Sequence, residues 1–161
     1  MSDLTFGWEP VRVLFAEPNL PDLLREHHEE LAVHKGEMLL DPDFQRFIQL
    51  EDAGMFRVWA GRTGSGLLVA YLAFFLQPHL HYKSTLTAVE DLFMLFAPYR
   101  RGMNGVRLFT TAIEALRGLG VKRVICHSKV HFQAEREGGG LEILFNRLGF
   151  VHTDQIWSRM L

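Results

Sequence analysis

The chain has 161 residues, 48% of them apolar, with 17 Lys and Arg against 19 Asp and Glu and a formal net charge of −2. That length predicts one domain burying about 70% of its unfolded surface, and the slightly acidic balance gives no basic footprint, so nucleic acid is not an expected partner. One cysteine, Cys126, excludes an internal disulfide and suits a reducing, cytoplasmic setting; the longest apolar run, Leu67–Leu76, is too short to cross a bilayer, and the first residues lack the pattern of a signal peptide, so no membrane partner is expected.

In chain order, Val11–Ala16 (VRVLFA) reads as a first strand. Asn19-Leu20-Pro21 opens a helix, with Asn19 as cap, Pro21 in the first turn, and Leu20, Leu24, His27 and Leu31 as one stripe. The run Glu26-His27-His28-Glu29-Glu30 suggests a metal, but adjacent histidines point about 100° apart on a helix; a solvated face is the expectation. Asp41-Pro42 starts a second helix with Phe44, Phe47 and Ile48 as its buried stripe, ended by Gly54. Met55–Gly61 alternates as a strand, Arg62–Gly66 is a hairpin turn by composition, and Leu67–Leu76, apolar on both faces, is a central strand.

Pro78–Ala88 carries His79 and His81, which point the same way if the strand continues. No third ligand stands at a telling spacing, so no metal is expected. With Tyr82, the two histidines are candidates for the acceptor side of a site, or else a surface pair.

The stretch Asp91–Arg123 organises the rest. Asp91–Phe96 reads as a buried strand, Pro98–Gly105 as a basic loop, and Val106–Leu119 as a helix with Val106, Phe109, Ile113 and Leu116 in its stripe. Gly120 stops the helix, and Val121–Cys126 is the next strand, with Cys126 in the core. A helix start presents unpaired amides and a partial positive charge. Gly102 and Gly105 allow close backbone approach, and Arg100 and Arg101 add charge. The loop therefore suits a phosphate or pyrophosphate, with an ordinary basic surface connection as the alternative. It is not a triphosphate P-loop, having no Gly-Lys-Ser/Thr. It is not a dinucleotide fingerprint either, because His127, Ser128 and Lys129 follow the next strand where an acid is required. Glu90 and Asp91 open the buried strand, where carboxylates are costly unless solvated or paired. Asp91 shares a face with Phe93 and Leu95 if no bulge intervenes.

PYRRGMNGVRLF, following an apolar strand and opening an amphipathic helix, resembles motif A of the GNAT superfamily of acyl-CoA-dependent N-acyltransferases, Arg/Gln-x-x-Gly-x-Gly/Ala. Arg100 aligns with its first residue and Gly105 with its last. Met103 stands where a glycine is usual and Gly102 lies one place early, which resembles a variant, Arg-x-Gly-x-x-Gly, of phage-encoded members. Leu144–Phe150 (LFNRLGF) is similar to the "LYEKLGF" ending of the superfamily's fourth helix.

The resemblance implies the GNAT fold: α/β (α+β), with a central mixed, mostly antiparallel sheet, a splayed parallel pair and about four flanking helices. It implies an N-acetyltransferase that moves an acetyl group from acetyl-CoA, its cosubstrate, to a primary amine by direct attack. The backbone of Leu95 and Phe96 would meet the pantetheine arm, and Arg100, Arg101, Gly102, Met103, Asn104, Gly105 and Val106 the pyrophosphate. Asp91, or Glu90, would take the amine's proton. Phe145 stands where the family often has a tyrosine acid and cannot donate; a water could serve, with His127, Ser128 or His131 as the other candidate substitutes. His131–Gly140 is expected as a mobile loop. The acceptor is a small-molecule or protein amine. A non-catalytic GNAT-fold module that binds coenzyme A or a protein partner is the second reading. The tail can form one good strand, Gln155–Met160, where the superfamily commonly ends in two, which suggests a homodimer through the C-terminal region.

Overall fold

The computed structural model describes residues 4–128 and 140–160. The loop expected over His131–Gly140 falls outside them but for Gly140. The chain packs as two units, Met1–His127 and Ser128–Leu161.

The first unit opens with β1 (Thr5–Glu9) and α1 (Val11–Phe15). The apolar run expected as a strand is thus a helix. Its start is capped from afar: both Glu51 oxygens accept the Val11 amide at 3.1 Å. A carboxylate there satisfies an orphan N–H and meets the positive end of the dipole. Val11 and Leu14, three apart, then face the core. α2 (Leu20–Leu31) matches the expected span, although the Asn19 side chain makes no cap bond. α3 (Phe44–Asp52) starts later than expected, because the cap is Asp43, whose side chain accepts the Arg46 amide at 2.9 Å.

β2 (Phe56–Arg62), β3 (Leu68–His79) and β4 (Tyr82–Leu95) form an antiparallel meander. β4 is far longer than the apolar core Asp91–Phe96 from which it was read. Its start, Tyr82-Lys83-Ser84, is exposed; it pairs with β3 only at His79↔Tyr82, and after an irregularity over residues 83–85 the ladder resumes at Pro78↔Leu86. A single 3-10 turn (Ala97–Tyr99) leads to α4 (Asn104–Gly118) and then β5 (Arg123–Ile125). The sheet order is β1-β2-β3-β4-β5, antiparallel except for the parallel pair β4–β5.

Helices cover both faces of this sheet, as a sheet apolar on both sides requires. α4 buries Leu108, Phe109, Ala112 and Leu116, with Phe109 against Phe93 at 4.9 Å. Its stripe is turned from the expected one: Leu108 is buried while Val106 and Ile113 are half-buried. On the other face Val11, Leu14 and Leu23 pack with Phe56, Val58, Tyr71, Met94 and Phe96.

In the second unit, α5 (Gly140–Arg147) ends in a left-handed turn at Gly149, φ +80°. Phe150 returns its N–H to the Phe145 carbonyl at 2.9 Å, and the two rings lie 5.1 Å apart. This is the turn that LFNRLGF encodes. Residues 151–160 are exposed and contain no strand, so the expected strand Gln155–Met160 is not formed.

Candidate active site

β4 and β5 pair over only three positions: Thr87↔Arg123, Ala88↔Val124 and Val89↔Ile125. The next residue of β4 is Glu90, 8% exposed. Its Oε2 accepts the His127 N–H at 3.0 Å and lies 3.4 Å from His127 Nδ1. Nδ1 is also 3.1 Å from the Glu90 carbonyl. A carbonyl only accepts, so Nδ1 carries a proton, and in the neutral ring Nε2 is then the accepting nitrogen. The His127 side chain is about one-third exposed, and solvent can reach it. The structure thus joins two of the three residues expected to do chemistry, at the point where the parallel strands part.

Asp91 sits differently. The register with β3 steps from Ala73↔Leu92 to Phe74↔Glu90, so Asp91 is the extra residue of a bulge and is exposed. The condition for Asp91 to share a face with Phe93 and Leu95 is not met. Cys126 lies beside this opening. Burial, and then the Glu90 charge, push its thiol up, so it stays protonated, in keeping with a core role.

At the far end of β4, Leu95 and Phe96 are both 5% exposed. Phe96 donates its N–H to the Val69 carbonyl at 3.1 Å. Beyond the 3-10 turn, Gly102 has φ +69°, so the backbone itself demands glycine there. The Asn104 side chain ties the loop by donating to the Tyr99 carbonyl at 3.0 Å. The cap position, Met103, makes no side-chain bond, and Arg107 N–H to Met103 carbonyl, 2.8 Å, opens the helical ladder. The amides of Asn104, Gly105 and Val106 precede that ladder. Arg101 is exposed beside them and has no ion pair with another described residue. These amides and that charge fit a phosphate.

Arg100 does not stand with Arg101. Its guanidinium pairs with both oxygens of Glu30, at 2.6 and 2.5 Å, and its Nε donates to the Leu95 carbonyl at 2.5 Å. The sequence reading missed Glu30, which it left on a solvated face. The same helix sends His27 Nδ1 to within 2.6 Å of the Tyr71 hydroxyl, so this face is partly docked. The one available signal was the stripe Leu20, Leu24, His27, Leu31, which turns His27 inward.

His79, His81 and Tyr82 do come together, at the tip of the β3–β4 hairpin. His79 Nδ1 accepts the His81 N–H at 3.2 Å, and the His79 ring lies 5.6 Å from His81 and 4.9 Å from Tyr82. The strand does not continue through them. The β3 partners of Tyr82 and Glu90 are His79 and Phe74, five residues and roughly 17 Å apart at the usual rise, so the tip and the opening do not line one small cleft. Among the described residues no group of three His, Cys, Asp or Glu could hold a metal ion, and no helix is long and apolar enough to span a membrane.

No protein-family model matches the sequence, and no curated protein matches it. Solved structures do match. An aminoglycoside acetyltransferase from an uncultured soil metagenomic sample superposes with a TM-score of 0.75 at 14% identity, covering 99% of each chain. Glucosamine-6-phosphate N-acetyltransferase from Arabidopsis thaliana gives 0.69 at 12% identity, covering 98% of each. A transcriptional regulator from Bacillus halodurans C-125 gives 0.72 at 16% identity, covering 99% of this chain and 100% of its own. The mixed sheet with one parallel pair, covered by helices on both faces, is the GNAT fold that acetyltransferases share.

Proposed function

We propose that this chain works as one cytoplasmic, acetyl-CoA-dependent N-acetyltransferase domain that acetylates a primary amine by direct attack. The observation that carries the reading is the end of the β4–β5 ladder at Glu90, where Glu90 holds the His127 ring; we read this as the acyl site, with the imidazole as proton acceptor. Bound acetyl-CoA supplies a thioester that a neutral amine attacks, forming a C–N bond as the C–S bond breaks. His127 Nε2 takes the proton from the incoming ammonium, and Glu90 holds the ring and stabilises its charged form. As the C–S bond breaks the imidazolium returns that proton to the departing thiolate, which answers the absence of a hydroxyl at Phe145, and the second proton of the attacking nitrogen is released to water as the amide forms. Asp91 on the bulge is the alternative base. Leu95 and Phe96 line the pantetheine side through their backbone. The amides from Gly102 to Val106, with Arg101, receive the pyrophosphate, and Arg100 acts from the start of this loop.

The acceptor classes to screen are small amines, amino acids and protein lysines. His79, His81 and Tyr82 serve an acceptor only if it is long enough to reach the hairpin. The deciding test is calorimetric titration with acetyl-CoA. Wild type should bind at micromolar levels, and Arg101→Ala should bind about tenfold more weakly, the equivalent of about 1.4 kcal/mol. Failure of wild type to bind would overturn the reading.

Phe145 and Met103 favour the second reading, a non-catalytic module that binds coenzyme A or a protein partner. Tight binding of acetyl-CoA with no thiol release across the amine panel would select it. A homodimer through the C-terminal region belongs to the same proposal, because the extended tail exposes Val151, Ile156 and Trp157. Light scattering that finds a clean monomer at micromolar concentration would remove it.

A further inference from the structure

The first arginine of the glycine loop already has an anion. We propose that Arg100 and Glu30 are positioning residues, whose ion pair sets the last peptide of β4 against α2, and that the Arg100 side chain is not a phosphate ligand. This rests on the coenzyme reading above, since that peptide lines the pantetheine side of the opening.

The guanidinium is a rigid fork of five N–H donors. Nη1 and Nη2 grip the two oxygens of Glu30 at 2.6 and 2.5 Å, and Nε grips the Leu95 carbonyl at 2.5 Å. Nη2 also lies 3.7 Å from Met94 Sδ. The two side chains are only 24% and 21% exposed. A phosphate could capture Arg100 only by stripping it from a bidentate, half-buried carboxylate, trading one anion for another. Arg101, exposed and next in sequence, pays no such cost.

The grip on Leu95 is the part with consequence. The Leu95 carbonyl and the Phe96 N–H belong to one peptide plane. Arg100 holds the carbonyl, and Val69 accepts the N–H at 3.1 Å. Together they fix the orientation of the strand end. Glu30 fixes Arg100 in turn, and α2 is itself tied one turn earlier, where His27 meets Tyr71. Tyr71 is the β3 partner of Met94 in the ladder. A displacement of α2 therefore reaches the Leu95 peptide through a single side chain.

The experiment compares Glu30→Gln with the double variant Glu30→Met, Arg100→Met. Replacing both members of a half-buried pair by apolar side chains tends to leave stability unchanged or raised, while a methionine side chain has no donor to offer the Leu95 carbonyl. Three readouts are needed: melting temperature, acetyl-CoA KM against kcat, and amide exchange at Phe96. The positioning role gives the double variant a melting temperature at or above wild type. It also gives at least tenfold faster Phe96 exchange, and an acetyl-CoA KM raised about tenfold with kcat within twofold. Glu30→Gln should shift KM and exchange the same way, by less. A double variant with wild-type KM and exchange would overturn the proposal, as would Glu30→Gln tightening acetyl-CoA binding, which would mark Arg100 as a phosphate ligand held in reserve. If wild type binds no acetyl-CoA, the coenzyme reading falls separately, and Phe96 exchange alone decides whether the pair positions the strand end.

Discussion

Glu90→Gln isolates charge from shape. The residue 90 carbonyl still holds His127 Nδ1, so the tautomer and the ring position survive, and the glutamine amide oxygen can still accept the His127 N–H. What is lost is the negative charge 3.4 Å from the ring. At an effective dielectric near 20 that charge is worth about 5 kcal/mol to an imidazolium. The His127 side chain is about one-third exposed, so solvent screening cuts this to about 2–3 kcal/mol. The rate should therefore fall about 30- to 150-fold in kcat. Ground-state costs are smaller: a charge-assisted bond becomes a neutral one, at about 1 kcal/mol, which is about 2–4 °C in Tm for a chain of this size. The assay is thiol release from acetyl-CoA with the best amine of the screen, beside calorimetry of acetyl-CoA binding, which should stay within twofold. A variant that binds normally and loses less than threefold in kcat would refute the reasoning and leave Glu90 as a strap for β5. Asp91→Asn run in parallel would then show whether the bulge carboxylate is the base.

Other consequences follow from packing and burial. Gly61→Ala places a Cβ 2.8 Å from the Phe6 ring and 2.9 Å from the Ala70 Cβ; Ala70 has no side chain to swing aside, so a loss of about 2 kcal/mol is expected, and a thermal melt unchanged within 1 °C would contradict it. Gly102→Ala, at φ +69°, should cost about 1 kcal/mol, and Gly102→Asn less, because asparagine tolerates that conformation; equal losses in denaturant titrations would argue against strain as the cause. Burial pushes up the Cys126 thiol and the Tyr71 phenol. Each folded group keeps a proton that the unfolded chain releases, so their stabilising effect is whole below the unfolded value and lost as pH rises. Urea stability should thus decline from about pH 9 by about 1.4 kcal/mol per unit as the thiol's window is entered. Cys126→Ala should flatten the curve between about pH 9 and 10; an unflattened curve would place the effect elsewhere.

Much of this architecture is legible along the chain. The period of α4 was readable from Val106 to Leu119, as were the stops at Gly54 and Gly120, the alternation of β2, the central character of β3 and the glycine turn before α4. These are local properties, set by side-chain period and by glycine's backbone freedom, and one segment contains all the information. The fold family followed from the order of such segments together with two short motifs.

The elements that went the other way share a cause. Val11–Phe15 is a helix because Glu51, 40 residues on, caps it. β4 begins well before its apolar core because β3 runs beside it, pairing from Pro78↔Leu86 onward. Gln155–Met160 has strand composition, yet no strand pairs with it among the described residues. In the site, Arg100 and Arg101 look equivalent in sequence, and only the approach of α2 assigns one of them to Glu30. The bulge that lifts Asp91 and the contact of Glu90 with His127 are likewise products of strand register. Sequence by itself determined which segments could bury a face and where the backbone could turn. Tertiary structure decided which charges meet, because an ion pair or a cap depends on a partner brought close by folding, and periodicity carries no record of that partner.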